Sequence, residues 1–229
     1  MARLHLFAEG QTEQTFATEL LKLHLAKIGE VYLQPPVLTA HAKGKDHRGG
    51  VLKYIPLKND IMCFMKQEKA RDVFFTTMID LYHLPHDFPG WNEAEKLRHS
   101  PYKRVEALEQ AFANDIGDSR FIPYIQLHEY EAYLFSDLEQ FRFFYEQHEQ
   151  KIAELKEALS KADNLPELVN DGPTTAPSKR IIGAFLDYDK RLVGPIMAEL
   201  IGLQTIRQKC PHFDMWLSKL EQLGTRRSY

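Results

Sequence analysis

The chain has 229 residues, 44% hydrophobic and 27% charged, with a formal net charge of −3. That is the balance of a globular protein with a sizeable core, and it excludes a broadly basic nucleic-acid-coating protein, although a local basic patch stays compatible with phosphate contacts. With no apolar run long enough to span a bilayer, no leader-like N-terminus and only two distant cysteines, Cys63 and Cys210, a cytoplasmic setting with reduced thiols is expected.

Leu4 to Ala8 reads as a short strand that ends at Glu9 and Gly10. A helix from about Gln11 to Ile28 follows, with Phe16, Leu20, Leu21, Leu23 and Leu25 as its apolar positions and Gly29 as its stop. Val31 to Leu33 and Val37 to Thr39 form a second strand interrupted by Pro35 and Pro36, which suits a sheet edge. His41 to Gly50 is a polar, Gly-rich loop. Lys53 to Lys69 is helical, with Tyr54, Leu57, Ile61, Phe64 and Met65 on one side. Arg71 to Asp80 is the clearest strand, and its nearly continuous apolar run predicts a central parallel strand buried on both faces.

A Pro-containing loop spans His83 to Trp91, and a helix follows from about Lys103 to Asn114. Arg120 to Leu127 is the next strand, with Pro123 again pointing to an edge. The alternation predicts an α/β fold with a mostly parallel sheet of about four strands. From Asp137 onward the pattern is mainly helical: Phe141 to Leu159 as a charged amphipathic helix, then helices holding Ile196 to Ile201 and Trp216 to Leu223. Asn164 to Arg180, rich in Pro, Gly, Thr and Asp, reads as an active-site loop or lid. The expected division is an α/β core over 1–136 and a helical extension over 137–229, with a frayed tail from Gly224.

Acidic residues stand at the carboxyl ends of three of these strands: Glu9, Asp80, and the pair Glu129 and Glu131. In a parallel sheet those ends share one edge, where α/β proteins place their chemistry. Carboxylates brought together repel one another and lose hydration unless a cation sits between them. Hard ions such as Mg²⁺ or Mn²⁺ select such oxygen ligands and can orient a phosphodiester and activate a water. Glu13 is a supporting acid, and His83 and His128 stand nearby as ligands or phosphate contacts, although ten histidines make such neighbours expected by chance. Each acid also has a plainer reading. Glu13 suits the first turn of a helix capped near Gln11 or Thr12, Asp80 can cap the loop after it, and Glu129 or Glu131 can be an exposed helix acid.

Lys179 or Arg180 can neutralise charge developing on a scissile phosphate, or can belong to a basic turn before the helix near Ile181. Lys43, Lys45 and Arg48 can track a nucleic-acid backbone, or can be a solvated face. Tyr54 and Trp91 sit near basic residues but read as core. No G-x-x-x-x-G-K-[ST] loop and no G-x-G-x-x-G turn is present, which argues against a P-loop hydrolase and a dinucleotide reader.

Glu-Gly-x-Thr-Glu at 9–13, Asp80-x-Tyr82, and His-Glu-x-Glu-Ala-x-Leu-Phe from His128 together carry a resemblance. With Pro177-Ser178-Lys179-Arg180-Ile181 and Cys210-Pro211-His212-Phe213, the chain resembles the Toprim-related domain-of-unknown-function family 4276 along nearly its whole length. The resemblance implies a Toprim-like doubly wound core that binds Mg or Mn, similar to the overcoming-lysogenization-defect nucleases. Glu9 would then be the strand-one glutamate and Asp80 the first acid of an Asp-x-Asp motif whose second acid is replaced by Tyr82. Glu129 or Glu131 could fill that place. The resemblance also implies a bacterial anti-phage setting and an ABC or SMC-like ATPase partner. The expected activity is a metal-dependent nuclease acting on DNA or RNA. The alternatives are a non-catalytic Toprim-like subunit that binds an ATPase or nucleic acid, and a small-molecule phosphotransfer enzyme.

Overall fold

The structure is a computed structural model that describes residues 1–28, 30–39, 53–146, 148–169, 172 and 174–225. Gly29 and the loop carrying Lys43, Lys45 and Arg48 lie outside the described residues. The chain forms two compact units, one of residues 1–126 with 216–229 and the other of residues 127–215. The change of unit falls ten residues before the boundary read from the helical pattern, and residues 216–225 belong to the first unit, while residues 226–229 of the expected frayed tail lie outside the described residues.

In the first unit, β1 (Ala2–Ala8) leads into α1 (Gln11–Phe16), a π-helical turn (Ala17–Leu21) and α2 (Lys22–Ile28). Then come β2 (Val31–Leu33), β3 (Val37–Leu38), α3 (Tyr54–Gln67), β4 (Val73–Asp80), a 3-10 turn (Leu81–His83), α4 (Trp91–Glu95) and α5 (Pro101–Ile116). Two short strands, β5 (Phe121–Ile122) and β6 (Ile125–Gln126), complete the sheet. Its six strands occupy four ranks: β2 and β3 share one flank of β1, β4 lies on the other, and β5 and β6 share the far flank of β4. Every registered pair is parallel, so the mostly parallel sheet expected from the alternation is what the chain forms. All eight residues of β4 are buried, as a central strand requires.

Both outer ranks break where the prolines fall, and side chains repair the breaks. Between β2 and β3 the carbonyl of Pro36 accepts from Gln14 Nε2 at 3.0 Å. Between β5 and β6 the hydroxyl of Thr77 donates to the Tyr124 carbonyl and accepts from the Tyr124 amide, both at 3.0 Å. Thr77 thus stands in for the ladder bonds that Pro123 interrupts. Thr77→Val keeps the shape and removes both bonds, and is expected to cost about 2 kcal/mol in urea unfolding. An unchanged midpoint would mean that Tyr124 finds other partners.

Further packing holds β4 in place. Trp216 stacks on Tyr124 with ring centroids 4.2 Å apart and donates from Nε1 to Thr76 Oγ1 at 2.9 Å. Tyr54 is buried and donates its hydroxyl to Asp115, which Lys58 also holds at 2.8 Å. The expected core role of Tyr54 is therefore what the structure shows. Gly90, at φ 77°, turns the chain against α5 so closely that a Cβ there would lie 2.6 Å from Ala111 Cβ.

His5, in the middle of β1, stacks on Phe75 at 5.4 Å, and among the described residues its buried Nε2 has no hydrogen-bond partner. Burial holds its pKa below the ordinary value of 6.5, with Glu68 opposing and Arg3 assisting. The unfolded chain therefore binds a proton that the folded chain refuses. Stability is complete above the ordinary imidazole pKa and falls as pH drops through it towards the folded value. His5→Phe removes that proton linkage. Its melting temperature is expected to gain on wild type at about pH 5 relative to about pH 7.5, and equal differences at both would refute this.

The second unit begins with two 3-10 segments, Tyr130–Ser136 and Leu138–Phe143, followed by α6 (Glu149–Ser160) and a 3-10 turn (Pro166–Leu168). After these come α7 (Pro177–Ala184), α8 (Val193–Ile201) and α9 (Leu203–Lys209). The final helix, α10 (Pro211–Glu221), starts in this unit. The helix expected from Phe141 forms only from Glu149, because Phe141 and Tyr145 turn to stack on Phe185 at 5.0 and 4.3 Å. Cys210 is buried beside Ser136, and burial, with Glu167 adding, pushes its thiol pKa well up, so it is an inert packing residue.

Candidate functional site

Strand order singles out one place in the first unit. From β1 the chain moves to the flank occupied by β2, and from β4 it moves to the opposite flank occupied by β5. The gap between the carboxyl ends of β1 and β4 is therefore the switch point at which open parallel sheets bind ligands. Glu9 follows directly on β1, and Asp80 is the last residue of β4.

The two residues meet there, the side chain of one against the backbone of the other. The Glu9 amide donates to the Met78 carbonyl at 3.0 Å, one step past the pair Ala8 and Met78, so the ladder carries Glu9 to the level of Ile79, the residue before Asp80. Its carboxylate turns across the gap, and Oε2 accepts from the Asp80 backbone amide at 2.7 Å. Glu13 folds back over the turn, its Oε2 lying 3.1 Å from where a Cβ on Gly10 would sit. Gly10 itself is extended, so it serves by leaving room for that carboxylate. All three acids are buried, at 6%, 4% and 3% exposure for Glu9, Glu13 and Asp80, whereas a helix-capping acid is ordinarily solvated. Tyr82 is half-buried in the turn after Asp80. Among the described residues no group of three or more His, Cys, Asp or Glu is disposed to hold a metal ion.

Glu129 and Glu131 belong to the second unit, and both are buried rather than exposed. They follow His128, a non-glycine residue in the left-handed region at φ 62°. Glu129 Oε2 accepts from the Ser178 amide at 2.9 Å, in the first turn of α7, where a carboxylate is favoured. Glu131, fully buried, accepts from Lys190 Nζ at 3.1 Å. Tyr188 lies in the field of both glutamates; burial first, then Glu131, raises its phenol pKa far above the ordinary range. The phenol therefore stays protonated and available as a donor. Nothing in the sequence singled out Tyr188.

Arg180 is half-buried and donates from Nε to the Thr175 carbonyl at 2.7 Å, which ties down the turn before α7. Lys179 next to it is exposed. The side chain of His83 lies outside the described residues. Trp91 is half-buried, with His86 against its ring at 4.9 Å and the Arg104 guanidinium 5.7 Å from its centroid.

No curated protein and no solved structure matches the chain. A family described as a domain of unknown function (DUF4276) matches residues 8–221, a span that takes in Glu9, Glu13, Asp80, Glu129 and Glu131. The match covers nearly the whole sequence, both units included, and the chain belongs to that family.

Proposed function

We propose that the protein is a divalent-metal-dependent nuclease of Toprim type, with Glu9 and Asp80 as its principal acids. The observation that carries this reading is the 2.7 Å contact between the Glu9 carboxylate and the Asp80 amide at the switch point of the sheet. It sets the carboxylate of one of the two acids that the Toprim resemblance assigns to the metal against the backbone of the other. The donor set suits Mg²⁺ or Mn²⁺, because every side-chain donor in it is a carboxylate oxygen. Two protein carboxylates are also the usual complement for Mg²⁺, which keeps waters and takes its remaining ligands from substrate phosphates. When bound there, such an ion supplies Lewis acidity and a water of lowered pKa.

The chain's own residues then have separate tasks. The Asp80 amide fixes the Glu9 carboxylate across the gap through Oε2. Glu13, folded over Gly10, adds negative charge to the same turn and strengthens the preference for a cation. Lys43, Lys45 and Arg48 are proposed to hold the backbone of a nucleic acid, and Lys179, the exposed member of its pair, to offset phosphate charge. An ABC or SMC-like ATPase partner in a bacterial anti-phage system is part of the same reading.

A second reading is a non-catalytic Toprim-like subunit, and Tyr82 in place of the second acid favours it. The test is calorimetric titration of Mn²⁺ and Mg²⁺ together with cleavage of plasmid DNA and of structured RNA. Metal binding with metal-dependent cleavage supports the nuclease. Metal binding without cleavage, with retained binding to nucleic acid or an ATPase, supports the subunit.

A further inference from the structure

Helix α8 is apolar on both sides. Val193, Met197, Ala198 and Ile201 face the interior of the second unit, as an amphipathic helix requires. The opposite side ordinarily carries polar residues. Here it carries Leu192, Ile196 and Leu200, which are 64%, 38% and 38% exposed. Spaced four apart, they form a single ridge about 12 Å long at the helical rise of 1.5 Å per residue. Ridges of this spacing pack into the matching grooves of a second helix.

The charges at the ends of the ridge say which helix. Arg191 precedes Leu192, Glu199 precedes Leu200, and both are exposed. Neither side chain has an ion-pair partner among the described residues. Arg191 stands at the N-terminus of α8 and Glu199 in its last turn, so each lies at the end of the helix dipole that disfavours its sign. Asp189, whose carboxylate accepts from the Arg191 and Leu192 amides at 2.8 and 3.2 Å, satisfies the backbone at the start of the helix. It leaves Glu199 uncompensated at the other end. An antiparallel copy of the same helix reverses both mismatches. It brings its own Arg191 to this Glu199 and its own Glu199 to this Arg191, while Ile196 meets Ile196 at the centre.

We propose that a second copy of this chain covers the exposed ridge of α8, giving a two-fold symmetric dimer with Leu192, Ile196 and Leu200 as its apolar centre. A two-fold axis makes the contact self-complementary, so one ridge with one charge at each end is sufficient. Stable dimers bury roughly 800 Å² per partner, so the ridge is the centre of the contact and neighbouring surface forms its rim. This association is independent of the roles given to Glu9 and Asp80.

Sedimentation equilibrium of the full chain over about 1–200 μM tests it, since a contact of modest size falls within that range. Wild type is expected to dimerise. Ile196→Glu, at an exposed position and with unchanged far-UV circular dichroism, is expected to weaken the dimer at least tenfold. Arg191→Glu and Glu199→Arg are each expected to weaken it about fivefold, and the double exchange to return it to within about twofold of wild type. A monomeric wild type assigns the ridge to a different protein and overturns the proposal. So does a dimer indifferent to Ile196→Glu, or a double exchange that fails to restore association.

Discussion

Glu9→Gln is expected to lower metal-dependent cleavage by at least 10²-fold while leaving the stability of the fold within about 1 kcal/mol of wild type. The glutamine keeps an oxygen that can accept the Asp80 amide, so the bond across the switch point survives. What it loses is the charge, and with it the attraction for a divalent ion on which the proposed activity depends. Glu9→Ala removes both. The buried Asp80 amide then loses its acceptor, and unfolding is expected to become easier by about 1–3 kcal/mol. The two substitutions therefore separate holding the site together from doing its chemistry. Asp80→Asn should follow Glu9→Gln, because it also removes charge while keeping shape. Initial rates, Mn²⁺ titration and urea unfolding on the three variants supply the comparison. Wild-type cleavage by Glu9→Gln would end the nuclease reading.

Glu167→Ala is expected to be the most damaging single substitution for stability, at about 3 kcal/mol. Glu167 is fully buried, and its two oxygens accept from the amides of His212 and Phe213 at 3.0 and 2.9 Å. These are the second and third residues of α10, whose first residue is Pro211. A proline suits that position because its missing amide would have had no partner there. The preceding residue, Cys210, is a poor cap, so a carboxylate from 45 positions away takes over the task. Glu167→Gln keeps one acceptor and should lose roughly half as much. Urea unfolding followed by circular dichroism reads the effect. A midpoint unchanged by Glu167→Ala would mean that water caps the helix equally well.

The contrast between these two glutamates shows what the sequence discloses. Glu9 and Asp80 were legible because each closes an apolar run, and because parallel strands align their ends. The unbroken run before Asp80 identified the central strand, and Pro35, Pro36 and Pro123 identified the flanks. Glu167 was not legible. It lies in a Pro- and Gly-rich stretch that reads as a loop, and nothing local announces a partner so distant. Only the pairing of Pro211 with a non-capping Cys210 hinted that the helix start needed help from elsewhere. Glu131 was legible as an acid at a strand end, but its contact with Lys190, 59 positions away, was not. Phe141 to Leu159 was misread for a related reason: a 3.6-residue period over Phe141 and Tyr145 is indistinguishable from stacking onto Phe185. Helix α9, which follows Gly202 at φ 81°, was missed because its seven residues are too few to establish a period.

The broken outer ranks of the sheet have a consequence for crowded conditions. An open sheet with long straight margins offers unpaired amides to any extended peptide, and so invites fibrillar growth. Here each margin is reduced to pieces of two or three residues, separated by prolines and stitched back by Gln14 or Thr77. Such pieces are too short to template another strand. The sheet is thereby guarded against runaway polymerisation.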